Sequence, residues 1–144
     1  MNVLSNKIIN KYNYSKVKDY VEDELFNIKF LGTKLMCLLP PDAGRQMINI
    51  DKVDSSHSNT SKLEKYVEKK DYLEREIEKE KTLHKESFDL MTEDEIIIFE
   101  EMFIYQNTDL QISEKYDWSN TKINRLKKSF MIKFALSKGM DFEK

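Results

Sequence analysis

Glycine and proline are nearly absent, three and two residues in a chain of 144. With Lys, Glu, Ile, Leu, Phe and Tyr abundant in their place, that scarcity predicts an all-α protein. A single cysteine, Cys37, excludes an internal disulfide framework and fits a reducing cytoplasm. No apolar run reaches the roughly 18 residues of a membrane span, and the N-terminus lacks the apolar core of a signal peptide, so the expected location is cytoplasmic with no membrane partner. An excess of either charge is lacking too. The 24 basic and 26 acidic side chains leave a net charge of -2, which excludes a protein coated in nucleic-acid-binding surface; any such contact must come from a local patch.

Catalytic signatures are also missing. There is no G-x-x-x-x-G-K-[ST], no G-x-G-x-x-G and no G-x-S-x-G. His57 falls in a polar stretch, His84 on a charged helix and Cys37 beside a proline break, without metal-ligand spacing. The acidic run Glu93-Asp94-Glu95 falls in a first helical turn, where the helix dipole favours it without any catalytic role. No enzyme, cofactor or metal is expected.

What is present divides into four parts. Residues 1–40 form an N-terminal helical segment, with Val3, Leu4, Ile8 and Ile9 as its first anchors. An amphipathic helix is then predicted from about Lys16 to Cys37, with Val17, Tyr20, Val21, Leu25, Ile28 and Leu35 on one stripe and Phe26 and Phe30 flanking it. Gly32 inside that helix costs about 1 kcal/mol against alanine and permits close approach of a neighbour. Residues 41–60 are expected as a polar linker, with a faint alternation over Gln46–Val53 too short for a strand. Residues 61–88 read as a charged connecting helix opened by the capping box Ser61-Lys62-Leu63-Glu64, with Leu63, Tyr66, Val67, Leu73 and Ile77 as its apolar positions. Either this helix or the N-terminal one is a candidate homodimer seam.

Residues 89–144 read as a three-helix helix-turn-helix domain. Thr92-Glu93-Asp94-Glu95 and Thr108-Asp109-Leu110-Gln111 both fit the S/T-x-x-E/Q capping box and mark helix starts. The first helix, with Ile96, Ile97, Ile98, Phe99, Met102, Phe103, Ile104 and Tyr105, is apolar over most of its surface and is the expected buried spine. The second turns Leu110, Ile112 and Tyr116 inward. After a turn at Asp117-Trp118, Ser119 caps a third helix that buries Ile123, Leu126, Phe130 and Phe134. Its other faces carry Lys122, Arg125, Lys127, Lys128, Lys133 and Lys138, with no acid from Trp118 to Lys138.

The stretch from Ile112 to Ile123 resembles the helix-turn-helix of sigma-factor region 4, departing from its pattern at Ser113 and Asp117. Lys127-Lys128-Ser129-Phe130-Met131-Ile132-Lys133-Phe134-Ala135 resembles the ending of the ArpU family of phage transcriptional regulators. The resemblance covers about the last third of the chain. It implies a DNA-binding transcriptional regulator of a phage or mobile element that acts on late or lysis-region genes.

In a helix-turn-helix the second helix of the motif enters the major groove by its N-terminal residues. The expected DNA-contacting set is therefore Ser119, Asn120, Thr121, Lys122, Asn124, Arg125, Lys127 and Lys128. Asn120, Thr121, Asn124 and Arg125 fall nearest the base edges, and Lys122 and Lys128 nearest flanking phosphates. The expected partner is double-stranded DNA. A sigma-like protein that also docks on RNA polymerase, a small terminase-like protein, and a module binding a host protein remain alternatives.

Overall fold

The computed structural model describes residues 2–38, 40 and 54–144, with residues 54–60 given by their backbone alone. The fold is all-helical as predicted; apart from an isolated bridge between Tyr12 and Glu143, the described residues contain no β structure. In order come α1 (Asn6–Ile9), α2 (Tyr14–Glu24), α3 (Phe26–Met36), α4 (Asp54–Leu83), α5 (Lys85–Phe88), α6 (Glu93–Phe99) running on as a π turn (Glu100–Ile104), α7 (Asp109–Tyr116) and α8 (Asn120–Ser137).

The capping boxes act as written. Thr92 Oγ1 accepts from the Glu95 amide at 3.2 Å while Glu95 Oε1 accepts from the Thr92 amide at 2.9 Å. Thr108 and Gln111 do the same at 3.2 and 2.8 Å. The box expected at Ser61 does not open a helix. Residues 54–60, expected as linker, already form the first turns of α4. Ser, Asn and Thr cost only a few tenths of a kcal/mol each in a helix, and neither glycine nor proline occurs between Gly44 and Gly139 to stop it. The rest of the linker, residues 41–53 with the Gln46–Val53 alternation, lies outside the described residues.

The single helix expected over 16–37 is two. Leu25 ends α2 and opens α3 with φ -98° and ψ 12°, off the helical well. The two halves serve different neighbours, and the kink serves both: α2 packs on α8, whereas α3 packs on α4 and on the π turn. Val17, Val21, Leu25 and Ile28 are all buried, so the apolar stripe is correct but the bend within it is silent. Phe26 and Phe30 of the flanking stripe stay exposed.

The core has α6 and α8 at its centre. Phe99, Phe103, Phe130 and Phe134 are buried there, with Phe99 and Phe130 ring centroids 5.5 Å apart and Phe88 completing the cluster from α5. Burying a side chain of this size contributes roughly 1.5–3 kcal/mol. His84, at the joint of α4 and α5, packs its ring against Phe134 (centroids 5.4 Å) and leaves a buried Nδ1 without a hydrogen-bond partner. Burial, with Lys138 nearby, holds its imidazole below the ordinary value. The N-terminal segment belongs to the same core: Ile9, Val17 and Val21 join it, and Leu4 donates its amide to Ser129 Oγ at 2.9 Å.

The π turn re-aims one carboxylate. The Tyr105 amide reaches back five residues to the carbonyl of Glu100 (3.0 Å), and the chain leaves through Gln106 at φ 53°. This turns Glu101 inward, where Lys115 Nζ and Tyr116 Oη donate to Oε1 at 2.7 Å each and Asn107 Nδ2 donates to Oε2 at 2.5 Å. Burial alone raises that carboxyl, but the bonds from Lys115, Tyr116 and Asn107 outweigh it and hold it below the ordinary 4.5. A carboxylate depressed on folding stabilises fully above its unfolded value and loses that contribution as pH falls through the folded one. Thermal melts of the native chain and Glu101→Gln are therefore expected to differ most above about pH 4.5 and to converge below it. Protonation of His84, common to both proteins, cancels in the difference. A gap that stays constant down to pH 3 would show that Glu101 is not ionised in its pocket.

Candidate nucleic-acid interface

The turn between α7 and α8 is built by residues that tolerate its backbone. Asp117 sits in the left-handed region at φ 57° and ψ 44°, a conformation Asp adopts more readily than most residues. The Ser113 hydroxyl donates to the Trp118 carbonyl at 2.7 Å, closing the loop across it. Trp118 stacks on Tyr116 with ring centroids 4.8 Å apart. Ser119 Oγ then accepts from the Lys122 amide at 3.1 Å, and α8 begins with its first donors satisfied.

Leu110 is the exception to the inward set. It is 67% exposed, whereas Ile112 is fully buried and Tyr116 half-buried.

Along α8 the environment changes abruptly. Asn120, Thr121, Lys122, Asn124 and Arg125 are exposed and only Ile123 and Leu126 point inward; from Ser129 to Ala135 every residue is buried. The first two turns thus project from the body while the later turns pack into it, α8 as a whole meeting α1, α2, α5 and α6. Asn120, Thr121 and Asn124 make no side-chain hydrogen bond among the described residues, which leaves three amide and hydroxyl groups facing outward.

The cations are not equivalent. Lys122 Nζ lies 3.4 Å from Asp94 and over the Trp118 ring at 4.7 Å, and Lys127 Nζ lies 3.1 Å from Asp109. Such half-exposed pairs are worth roughly 0–1 kcal/mol and cancel part of each other's field. Arg125 donates from Nε to the Leu4 carbonyl at 3.0 Å, and Lys128 sits 5.5 Å above the Tyr14 ring; neither meets a carboxylate among the described residues. The uncompensated positive field of this face therefore comes from Arg125 and Lys128.

Lys133, expected on the basic face, is not there. It is 2% exposed and bonds Glu95 Oε1 at 2.7 Å, with Ser129 Oγ on the other carboxylate oxygen at 2.5 Å. Its position follows from spacing: seven residues after Leu126 and three after Phe130, it falls on the buried stripe. Lys138, also expected on that face, lies over the Phe134 ring at 5.5 Å, at the far end of α8 from the projecting turns.

Sequence reasoning passed over the wall beside this face. Tyr14 and Lys18 of α2 stand next to Asn124, Lys127 and Lys128 around a cleft of about 400 Å³. The signal was the second half of α8 itself, where Met131, Ile132 and Ala135 widen the apolar surface beyond one stripe and so demand a cover on that side. Among the described residues, no three His, Cys, Asp or Glu side chains gather where a metal ion could be held, and no helix is long and apolar enough to cross a membrane. Compared with family models, with curated proteins and with solved structures, the chain matches none of them.

Proposed function

We propose that the chain binds double-stranded DNA in a sequence-dependent way and regulates transcription without a catalytic step of its own. The resemblance to the ArpU regulators extends the proposal to late or lysis-region genes of a phage or mobile element. The observation that carries the reading is the division of α8, with two turns of polar and basic side chains projecting from a helix whose remaining turns are anchored in the core. A rigidly held, exposed helix start is what insertion into a major groove requires.

In this reading Asn120 and Asn124 address adenine edges and Arg125 a guanine edge, each good bidentate pair discriminating by about 1–3 kcal/mol. Lys128 contacts phosphate without reading sequence. Lys122 and Lys127 must first exchange a carboxylate for a phosphate, so their contribution is smaller. Arg125→Ala is expected to relax sequence preference, and Lys128→Ala to weaken binding to all duplexes while lowering the log–log salt slope by about 0.9. Fluorescence anisotropy titrations at several salt concentrations separate the two. If neither variant changes affinity or salt dependence, α8 is not the reading helix. One such motif spans about half a helical turn of DNA, so the proposal includes a homodimer on two half-sites. Leu63 and Val67, exposed four residues apart on α4, support a seam there, and light scattering on the same samples reads the stoichiometry.

A second reading draws on a different surface. Phe26 and Phe30 of α3 are 58% and 49% exposed and pack against each other, which favours a protein-binding module. Retention of a host protein by the chain, lost in a Phe26→Ser, Phe30→Ser variant and accompanied by no affinity for any duplex, would support it.

A further inference from the structure

Two stretches of the sequence are free of acidic residues: residues 1–18, which carry Lys7, Lys11, Lys16 and Lys18, and residues 118–140, which include α8. They lie more than a hundred residues apart, yet they are folded against each other. Leu4 bridges Ser129 and Arg125 through its amide and carbonyl, Tyr14 lies under Lys128, and just beyond the second stretch the Asn13 amide donates to the Phe142 carbonyl at 2.9 Å.

The pairing places lysines where a duplex would need them. Lys128 borders two clefts at once: the one shared with Lys18 and Asn124, and a second of about 350 Å³ shared with Asn10, Asn13 and Lys144. From Asn120 to Lys128 the projecting part of α8 rises about 12 Å at 1.5 Å per residue. That length matches the major groove's width of about 12 Å and exceeds its depth of about 8.5 Å. With the first turns against base edges, the bordering phosphates therefore fall at the level of Lys128, where α2 and the C-terminal residues stand. The acids nearby are Glu22 and Asp109 on the first cleft and Asp141 and Glu143 near Tyr12; Asp109 is already engaged by Lys127. Tyr14 is held neutral, pushed up to about 12 by its burial, with Glu22 and Asp109 adding to it.

We infer that the N-terminal segment is part of the DNA interface, with Lys18 of α2 and Lys144 at the C-terminal end flanking Lys128 as a phosphate-binding wall beside the reading helix. The inference rests on the DNA-binding proposal and extends it to residues outside the helix-turn-helix. Lys18 and Lys144 are both exposed, so replacing them leaves the core intact.

The test is a titration of the full chain and of Lys18→Ala, Lys144→Ala with a short random-sequence duplex and with the best duplex selected from a random pool, at several salt concentrations. The double variant is expected to bind both duplexes more weakly by the same factor, to lower the log–log salt slope by nearly 2, and to keep the preference between them. Lys69→Ala, an exposed lysine on α4, serves as the control and is expected to leave the slope unchanged. If the native chain binds with a steep slope that the double variant shares, the wall is wrong and the reading helix stands alone. If the native chain binds neither duplex at low salt, the underlying proposal fails and this inference with it.

Discussion

Glu95→Ala is expected to remove about 3–5 kcal/mol of folding stability. Glu95 is fully buried and its partner Lys133 is 2% exposed, so truncation strands an ammonium group in the core rather than releasing it to water. The loss extends beyond the ion pair. Glu95 Oε1 also accepts the Thr92 amide of the capping box, and Oε2 accepts the Ser129 hydroxyl, so three donors lose one acceptor side chain together. Only Lys133 keeps another acceptor, the Leu90 carbonyl at 3.3 Å. Removing both charges is different, because a buried pair replaced by apolar groups of similar volume is often neutral or stabilising. Glu95→Leu with Lys133→Met is therefore expected to recover most of the loss, less about 1 kcal/mol for the broken cap. Urea denaturation of the three proteins measures this. A cost below 1 kcal/mol for Glu95→Ala would mean that water reaches the pair. The pair also has a place in the proposed function, since it ties α6 to the anchored half of α8, while Ser129 links the same carboxylate to Leu4 and the N-terminal wall. Loosening it should slacken the helix whose first turns project.

How far such features could be read in advance depends mostly on whether they are local, although the equally local box at Ser61 falls inside α4 rather than at its start. The capping boxes at Thr92 and Thr108, the cap at Ser119 and the left-handed turn at Asp117 are set by residues within four positions of one another, and each forms as its spacing predicts. The kink at Leu25 and the π turn at Glu100–Ile104 leave no such mark. Both lie where the chain meets partners distant in sequence, and an apolar stripe has the same period with or without the bend. Lys133 was expected on the basic face, where its charge rather than its spacing put it. Its spacing places it inside, yet lysine is almost never fully buried unless paired, and its partner lies 38 residues upstream on another helix. For the projecting turns, polarity and exposure agree from Asn120 to Arg125. Which cations are free and which are paired is a tertiary matter, decided by Asp94, Asp109 and Tyr14.

Gly32→Ala is the second large effect, and its sign is opposite to the usual one. On a free helical surface that change stabilises by about 1 kcal/mol, because glycine loses more backbone entropy than alanine. Here a Cβ would meet the Ile104 carbonyl oxygen at 2.6 Å, the Phe103 carbonyl oxygen at 2.7 Å and the Ile104 Cα at 2.9 Å. All three are backbone atoms of the π turn, so no side-chain rotation relieves the overlap and α3 must lift away. Overpacking of this kind costs about 1–3 kcal/mol, and lifting α3 also strains the clasp in which Gln106 Nε2 donates to Thr33 Oγ1 at 2.8 Å and to the Lys29 carbonyl at 3.1 Å. A net loss of about 1–3 kcal/mol is expected for Gly32→Ala, and a larger one for Gly32→Val. The disturbance should travel along the π turn, because the same turn aims Glu101 at Lys115 and Tyr116 and so fixes α7. Denaturant melts of Gly32→Ala give the stability, and the dependence of that loss on Glu101 follows from repeating the change in Glu101→Gln, where the two costs should be less than additive. Stabilisation by Gly32→Ala would mean that α3 does not rest on the π turn, and the route from the N-terminal half to α7 would then be absent.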